Sequence, residues 1–141
     1  MTLLANILKQ FPRTLLYFYP KDDTPGCTLE AQDFTQLKSE FEKQNIQIIG
    51  VSKDSESSHA KFRDKCNLGI QLVSDEEETL HKQFNVIGEK KNYGKVYIGV
   101  IRSTFLLDQD GKILKEWRNV KATGHAEKVL REITQFSNAK L

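Results

Sequence analysis

A chain of 141 residues, 38% hydrophobic and 28% charged, fits one domain with a single substantial core. A net charge of +2 gives no polyanion-binding signal, the longest apolar run is far short of a membrane span, and MTLLANILKQF lacks a signal-peptide pattern, so neither nucleic acid nor membrane is expected as a partner. Two cysteines cannot build a disulfide scaffold, and a reducing, cytoplasmic setting is the expectation.

TLLANILKQF reads as a short helix ending before Pro12. Thr14–Tyr19 (TLLYFY) is a continuous β-rich apolar run, the pattern of a strand buried on both faces, and Pro20 stops it. From Thr28, the apolar residues Ala31, Phe34, Leu37 and Phe41 recur at helical spacing to about Lys43. Ile46–Val51 (IQIIGV) is a second buried strand. A helix from Ser57 to about Cys66, a weaker strand at Ile70–Val73 and a short helix over Glu77–Phe84 follow. IGEKKNYGKVYIG reads as a glycine-containing loop whose Lys90-Lys91 pair is solvated rather than a nucleic-acid patch. Val100–Leu107 and Ile113–Trp117 flank DQDG, a hairpin turn. Ala126, Val129, Leu130, Ile133 and Phe136 form the stripe of a closing helix. With no internal repeat or linker, this order predicts one α/β domain over 1–141, with helices on both faces of a mixed sheet. The closing hairpin and helix are thioredoxin-like.

One of the two cysteines stands where a helix begins, in YPKDDTPGCTLEAQDF. Thr24 suits the N-cap and Pro25 the next position, where a missing N–H costs nothing. Cys27 then falls in the first turn, beside N–H groups with no intrahelical partner and at the positive end of the helix dipole. Both favour a thiolate, the nucleophilic form of cysteine. A buried structural cysteine is the other reading, since free cysteine is often simply a small hydrophobe. No CxxC pair supports dithiol exchange. A cysteine–histidine hydrolase would need His59, His81 or His125, each of which reads as an ordinary surface or cap residue. Scattered histidines and two distant cysteines do not resemble a zinc site.

FYPKDDTPGCTLEA resembles the active-site segment of the peroxiredoxins, whose motif Pro-x-x-x-Thr-x-x-Cys is met here by Pro20, Thr24 and Cys27. The wording is similar to the bacterioferritin comigratory protein (peroxiredoxin Q) subfamily, and the similarity continues through GVSKDSESSHAKFRDK, LVSDEEE, GEKKNYGKVYIGVIRSTFLLDQDGKI and WRNVKATGHAEKVL. The resemblance implies a thioredoxin-like peroxiredoxin fold and a thiol-dependent peroxidase of antioxidant defence, acting on hydrogen peroxide and organic hydroperoxides without metal or organic cofactor. It makes Cys27 the peroxidatic nucleophile, which becomes a sulfenic acid. Thr24, the first-turn N–H groups at Gly26 and Cys27, and Arg102 in IRSTF become the groups that bind peroxide and stabilise the departing oxygen. Pro20 is expected to pack over the site. The implied reductant is a thioredoxin- or glutaredoxin-like protein or a small thiol, and the expected state is a monomer or weak dimer.

Two departures stand out. Many subfamily members carry a resolving cysteine five residues after the peroxidatic one, where this chain has Gln32. Cys66 is the other candidate, either resolving Cys27 or filling a core position; the second reading is preferred and gives a one-cysteine enzyme. Relatives also usually carry an Ala-Pro-Asp-Phe segment and a small hairpin before the first core strand, and the expectation is a domain lacking them. A thioredoxin-fold binding or chaperone protein with impaired peroxidase activity is the alternative function. A glutathione-peroxidase-like enzyme is disfavoured because Trp117, the single tryptophan, reads as a strand residue.

Overall fold

The computed structural model of the chain describes residues 3–139. Its elements run α1 (Leu3–Leu8), β1 (Arg13–Phe18), α2 (Pro25–Glu42), β2 (Ile46–Ser52), α3 (Glu56–Cys66), β3 (Gln71–Ser74) and α4 (Thr79–Gln83). They continue with β4 (Ile87–Asn92), β5 (Lys95–Val100), β6 (Ser103–Asp108), β7 (Ile113–Trp117) and α5 (His125–Ala139). Thr2, in the first predicted helix, lies outside the described residues.

The apolar run TLLYF becomes the central strand of a five-stranded sheet ordered β3-β2-β1-β6-β7. It pairs in parallel with β2 and antiparallel with β6, so Leu16 faces Ile49 on one side and Phe105 on the other. Alternation along a strand sends successive side chains to opposite faces. Leu15, Tyr17 and Tyr19 therefore join Cys27, Ala31, Phe34, Phe62, Val129 and Ile133 in the layer under α2, α3 and α5. Leu16 and Phe18 join Leu4, Ile7, Phe84, Phe105 and Leu107 under α1 and α4. Helices cover both faces of a mixed sheet, the thioredoxin-like arrangement expected from the sequence.

Two expectations are corrected. The segment read as a glycine-containing loop is a β-hairpin, β4 and β5, forming its own two-stranded sheet. Tyr93 and Gly94 take left-handed φ of 52° and 78°, the pair of positive angles a tight two-residue hairpin turn requires. The strand pattern is masked because Glu89, Lys90 and Lys91 interrupt it with charge. Lys90 is also not simply solvated: it is half-buried, and its Nζ donates to the Val100 carbonyl at 3.0 Å. Secondly, the run Val100–Leu107 is two strands. Ile101 and Arg102 form a corner between β5 and β6, with Ile101 N–H donating to Val86 O (2.7 Å) and Arg102 O accepting from Val120 N–H (3.0 Å). The DQDG turn is as predicted, with Gly111 at φ 87° and Asp108 accepting from the N–H groups of Asp110 and Lys112.

Candidate active site

Thr24 precedes α2 in an extended conformation (φ −101°, ψ 155°) and Pro25 opens the helix. The first intrahelical bond runs from Thr28 N–H to Thr24 O at 2.8 Å. The N–H groups of Gly26 and Cys27 precede it and have no acceptor within the helix. Thr24 does not cap through its side chain; its hydroxyl donates to Lys21 O at 2.8 Å, leaving its lone pairs to accept. Cys27 is the third helical residue, 2% exposed, with its sulfur at the positive end of an 18-residue helix.

The corner between β5 and β6 places Arg102 against this turn. Arg102 Nη2 donates to Cys27 Sγ at 3.4 Å, and Nη1 donates to Glu30 Oε1 at 2.5 Å. One guanidinium thus bridges a thiol and a carboxylate set three residues apart on one helix face. Burial alone would pull the Arg102 guanidinium down; the charges of Glu30 and Cys27 outweigh it and hold Arg102 above its ordinary value. Glu30 is fully buried, with no partner for Oε2. Burial pushes its carboxyl up to about 7, against the pull of Arg102. A Cβ at Gly26 would lie 3.4 Å from Arg102 Nη2, so the guanidinium packs against the backbone of this turn. Below the site Tyr17 stacks on Phe34 at 4.8 Å; burial, then the Glu30 charge, raises its hydroxyl and keeps it neutral. Burial, then the Arg102 charge, lowers the Lys90 ammonium, which also feels Cys27, so the hairpin adds a second cation to the site's field.

The structure brings Cys27 and Arg102 into contact, with Thr24 and Gly26 next to Cys27 in the chain; Pro20 lies half-buried at the start of the loop. Cys66 is the last residue of α3, half-buried against the core layer that contains Cys27, and both thiols are free. Gln32 is exposed. The histidines correct their reading as surface or cap residues: His59, His81 and His125 are 2%, 0% and 3% exposed. His81 Nδ1 bonds Asp75 Oδ2 at 2.6 Å, and His125 Nε2 meets Thr104 Oγ1 at 2.8 Å. Trp117 donates to Glu132 Oε1 at 3.0 Å from β7. Glu30 is the residue the sequence reading missed, although its i+3 spacing from Cys27, beside Ala31 on the apolar stripe, marked it as an acid on a buried face. Among the described residues no cluster of three His, Cys, Asp or Glu side chains could hold a metal, and no helix is long and apolar enough to cross a membrane.

A buried sulfur bonded to a fixed cation, at a helix N-terminus with two unused N–H donors, can act as a nucleophile and stabilise a departing oxygen. Residues 4–116 match the model of the AhpC/TSA family. The chain is 51% identical over 116 residues to peroxiredoxin Bcp of Xanthomonas campestris, covering 82% of this chain and 72% of the relative. It is 48% identical over 123 residues to peroxiredoxin Bcp of Bacillus subtilis, covering 87% and 78%. A structure of Xanthomonas campestris bacterioferritin comigratory protein, concerned with its alkyl peroxide reduction activity, matches with a TM-score of 0.81 and 47% identity over 88% of this chain and 79% of that one. A mutant of Xylella fastidiosa PrxQ matches with a TM-score of 0.83 and 44% identity, covering 89% and 77%. The chain belongs to the AhpC/TSA family, in its bacterioferritin comigratory protein (peroxiredoxin Q) branch.

Proposed function

We propose that Cys27 is the peroxidatic nucleophile, with Thr24, Gly26, Pro20 and Arg102 forming the peroxide-binding site. The chain is a thiol-dependent peroxidase of its family, using peroxide as substrate and a thiol as reductant. The observation that carries the assignment of roles is the 3.4 Å contact from Arg102 to a buried first-turn sulfur.

In this reading, the Cys27 thiolate attacks one oxygen of hydrogen peroxide or an organic hydroperoxide. The S–O bond forms as the O–O bond breaks, and the electron pair leaves with the distal oxygen. That oxygen takes up a proton to become water or an alcohol, and Cys27 is left as a sulfenic acid. Arg102 and the N–H groups of Gly26 and Cys27 supply donors where negative charge develops, and Thr24 accepts from the peroxide O–H. Glu30 holds the second arm of the guanidinium and so aims the first. A reducing thiol then attacks the sulfenic sulfur, forming a disulfide and releasing water, and a second thiol reduces that disulfide. Cys66 packs against the core and Gln32 is not a thiol, which supports a one-cysteine cycle with an external resolving thiol. We read the reductant as a thioredoxin- or glutaredoxin-like protein or a small cytoplasmic thiol.

Peroxide consumption by wild type and Cys27→Ser tests this: the variant is expected to lose all thiol-dependent turnover. Continued turnover would remove Cys27 from the mechanism.

A further inference from the structure

The loop before α2 carries two consecutive acids, Asp22 and Asp23, and α3 grips both. Asp22 is 7% exposed. It accepts from Tyr19 Oη at 2.6 Å, Ser58 Oγ at 2.7 Å and His59 Nδ1 at 2.8 Å. Its N–H donates to Asp54 Oδ2 at 2.8 Å, and the same oxygen accepts from Ser52 Oγ at 2.8 Å. Asp23 accepts from Lys65 Nζ at 2.8 Å. Asp23 also sits at φ 58°, a left-handed conformation that a non-glycine residue keeps only where its surroundings over-determine it.

His59 is the centre of the grip. Its Nε2 lies 3.2 Å from Val73 O and 3.5 Å from Ser52 Oγ, whose own proton goes to Asp54. Both ring nitrogens thus have polar partners, Nδ1 in Asp22 on the loop and Nε2 in Val73 O and Ser52 Oγ on the neighbouring strands. A buried carboxyl group on the loop is thereby faced by a buried imidazole on α3. Three neutral or cationic donors converge on Asp22, and removing one of them leaves charge behind in a dry site.

We propose that His59 is a positioning residue for peroxidation. Through Asp22 it clamps α3 to the loop carrying Pro20 and Thr24, and so holds the first turn of α2 in the shape that presents Cys27 to small peroxides and shields it from bulky thiols. The proposal rests on Cys27 being the reactive cysteine. The clamp joins the start of α3, at Ser58 and His59, to the loop, while Lys65 adds an exposed tie near the other end of the helix. Loosening it moves two steps in opposite directions: reaction with peroxide slows, and attack by a large sulfur reagent quickens.

The test uses the full chain in a Cys66→Ser background, so that Cys27 is the one thiol present. Rate constants are measured for hydrogen peroxide and for alkylation by iodoacetamide and by a bulky maleimide. His59→Leu and Asp22→Asn are expected to lower the peroxide rate constant roughly tenfold or more, the scale of a small misplacement of reacting groups. The maleimide rate should rise relative to that of iodoacetamide. Ile7→Val, a change in the core layer on the opposite face of the sheet, controls for general loss of stability and should leave that ratio alone. Should His59→Leu unfold, Asp22→Asn, which keeps the side-chain shape, decides. The double variant Asp22→Asn, His59→Leu should be less impaired than the two single effects combined, as expected of directly coupled partners. A peroxide rate within twofold of the parent, or an unchanged alkylation ratio, would overturn the clamp. Absence of peroxide reaction in the parent itself would instead defeat the Cys27 assignment, and the alkylation ratio would still judge the clamp.

Discussion

Replacing Arg102 by lysine keeps the charge and removes the geometry. In the structure the two terminal nitrogens of Arg102 serve different acceptors, Cys27 Sγ at 3.4 Å and Glu30 Oε1 at 2.5 Å. A lysine has one nitrogen on a flexible stem, and the buried Glu30 carboxylate, already lacking a partner for Oε2, competes for it. The ammonium is therefore expected to settle on Glu30 and leave the sulfur and the departing peroxide oxygen without a charged donor. A hydrogen bond to a charged group is worth roughly 1.5–3 kcal/mol. At about 1.4 kcal/mol per factor of ten, that predicts a loss of roughly ten- to hundredfold in the second-order rate constant with hydrogen peroxide. Competition kinetics against a peroxide-scavenging reporter would measure it, with Glu30→Gln as a companion that frees the second arm of Arg102. An Arg102→Lys rate constant within twofold of wild type would refute the idea that the forked donor, rather than charge alone, drives the step.

Cys66→Ser should form Cys27 sulfenic acid at the wild-type rate and turn over normally with a dithiol protein reductant; lost turnover with sulfenate still forming would establish Cys66 as the resolving thiol. Burial holds His125 down at about 4 against an ordinary 6.5, so the unfolded chain takes up a proton first as pH falls. Its contribution is therefore complete above pH 6.5 and lost on the way down to about pH 4, by up to about 3 kcal/mol at 1.36 kcal/mol per pH unit. Glu30, raised to about 7 from 4.5, acts in the opposite sense over much of that range, so the stability difference between wild type and His125→Gln, read from urea melts, is the quantity to follow. A difference constant from pH 7 to 4 would show that His125 does not titrate as described. Gly50→Ala would put a methyl 2.9 Å from Leu72 Cδ2 and from Tyr17 Cζ, and overpacking of that kind should cost about 1–3 kcal/mol in a urea melt; no loss would mean that the sheet and Tyr17 yield more readily than their packing suggests.

Much of the fold was legible because its apolar patterns are unambiguous. TLLYFY and IQIIGV can only be buried strands at that length, and the stripe from Ala126 to Phe136 can only be a helix face. The β4–β5 hairpin was hidden because β4 carries three consecutive charges, Glu89, Lys90 and Lys91, and neither strand alternates polar with apolar residues, a pattern that serves a loop equally well. The corner at Arg102 was hidden because IRSTFLL continues a β-rich run without glycine or proline, and its backbone is satisfied instead by Val86 and Val120, distant in sequence. At the site, the helix start at Thr24-Pro25-Gly26-Cys27 could be read from cap chemistry. The Arg102 role came from family resemblance and Glu30 from neither: its place on the buried helix face shows in the spacing, but its partner, 72 positions away, does not. The histidines were hidden as well. His59 and His81 look like helix-surface residues until Asp22 and Asp75 are brought against them.

The central claim is that Cys27 is the sulfur that meets peroxide. Intact-mass and peptide analysis after one equivalent of hydrogen peroxide, with a sulfenic-acid trap present, tests it directly. The account predicts one trapped sulfenic acid, on the peptide carrying Cys27, with Cys66 still a thiol. Oxygen appearing first on Cys66, or a Cys27 left reduced while peroxide is consumed, would contradict it.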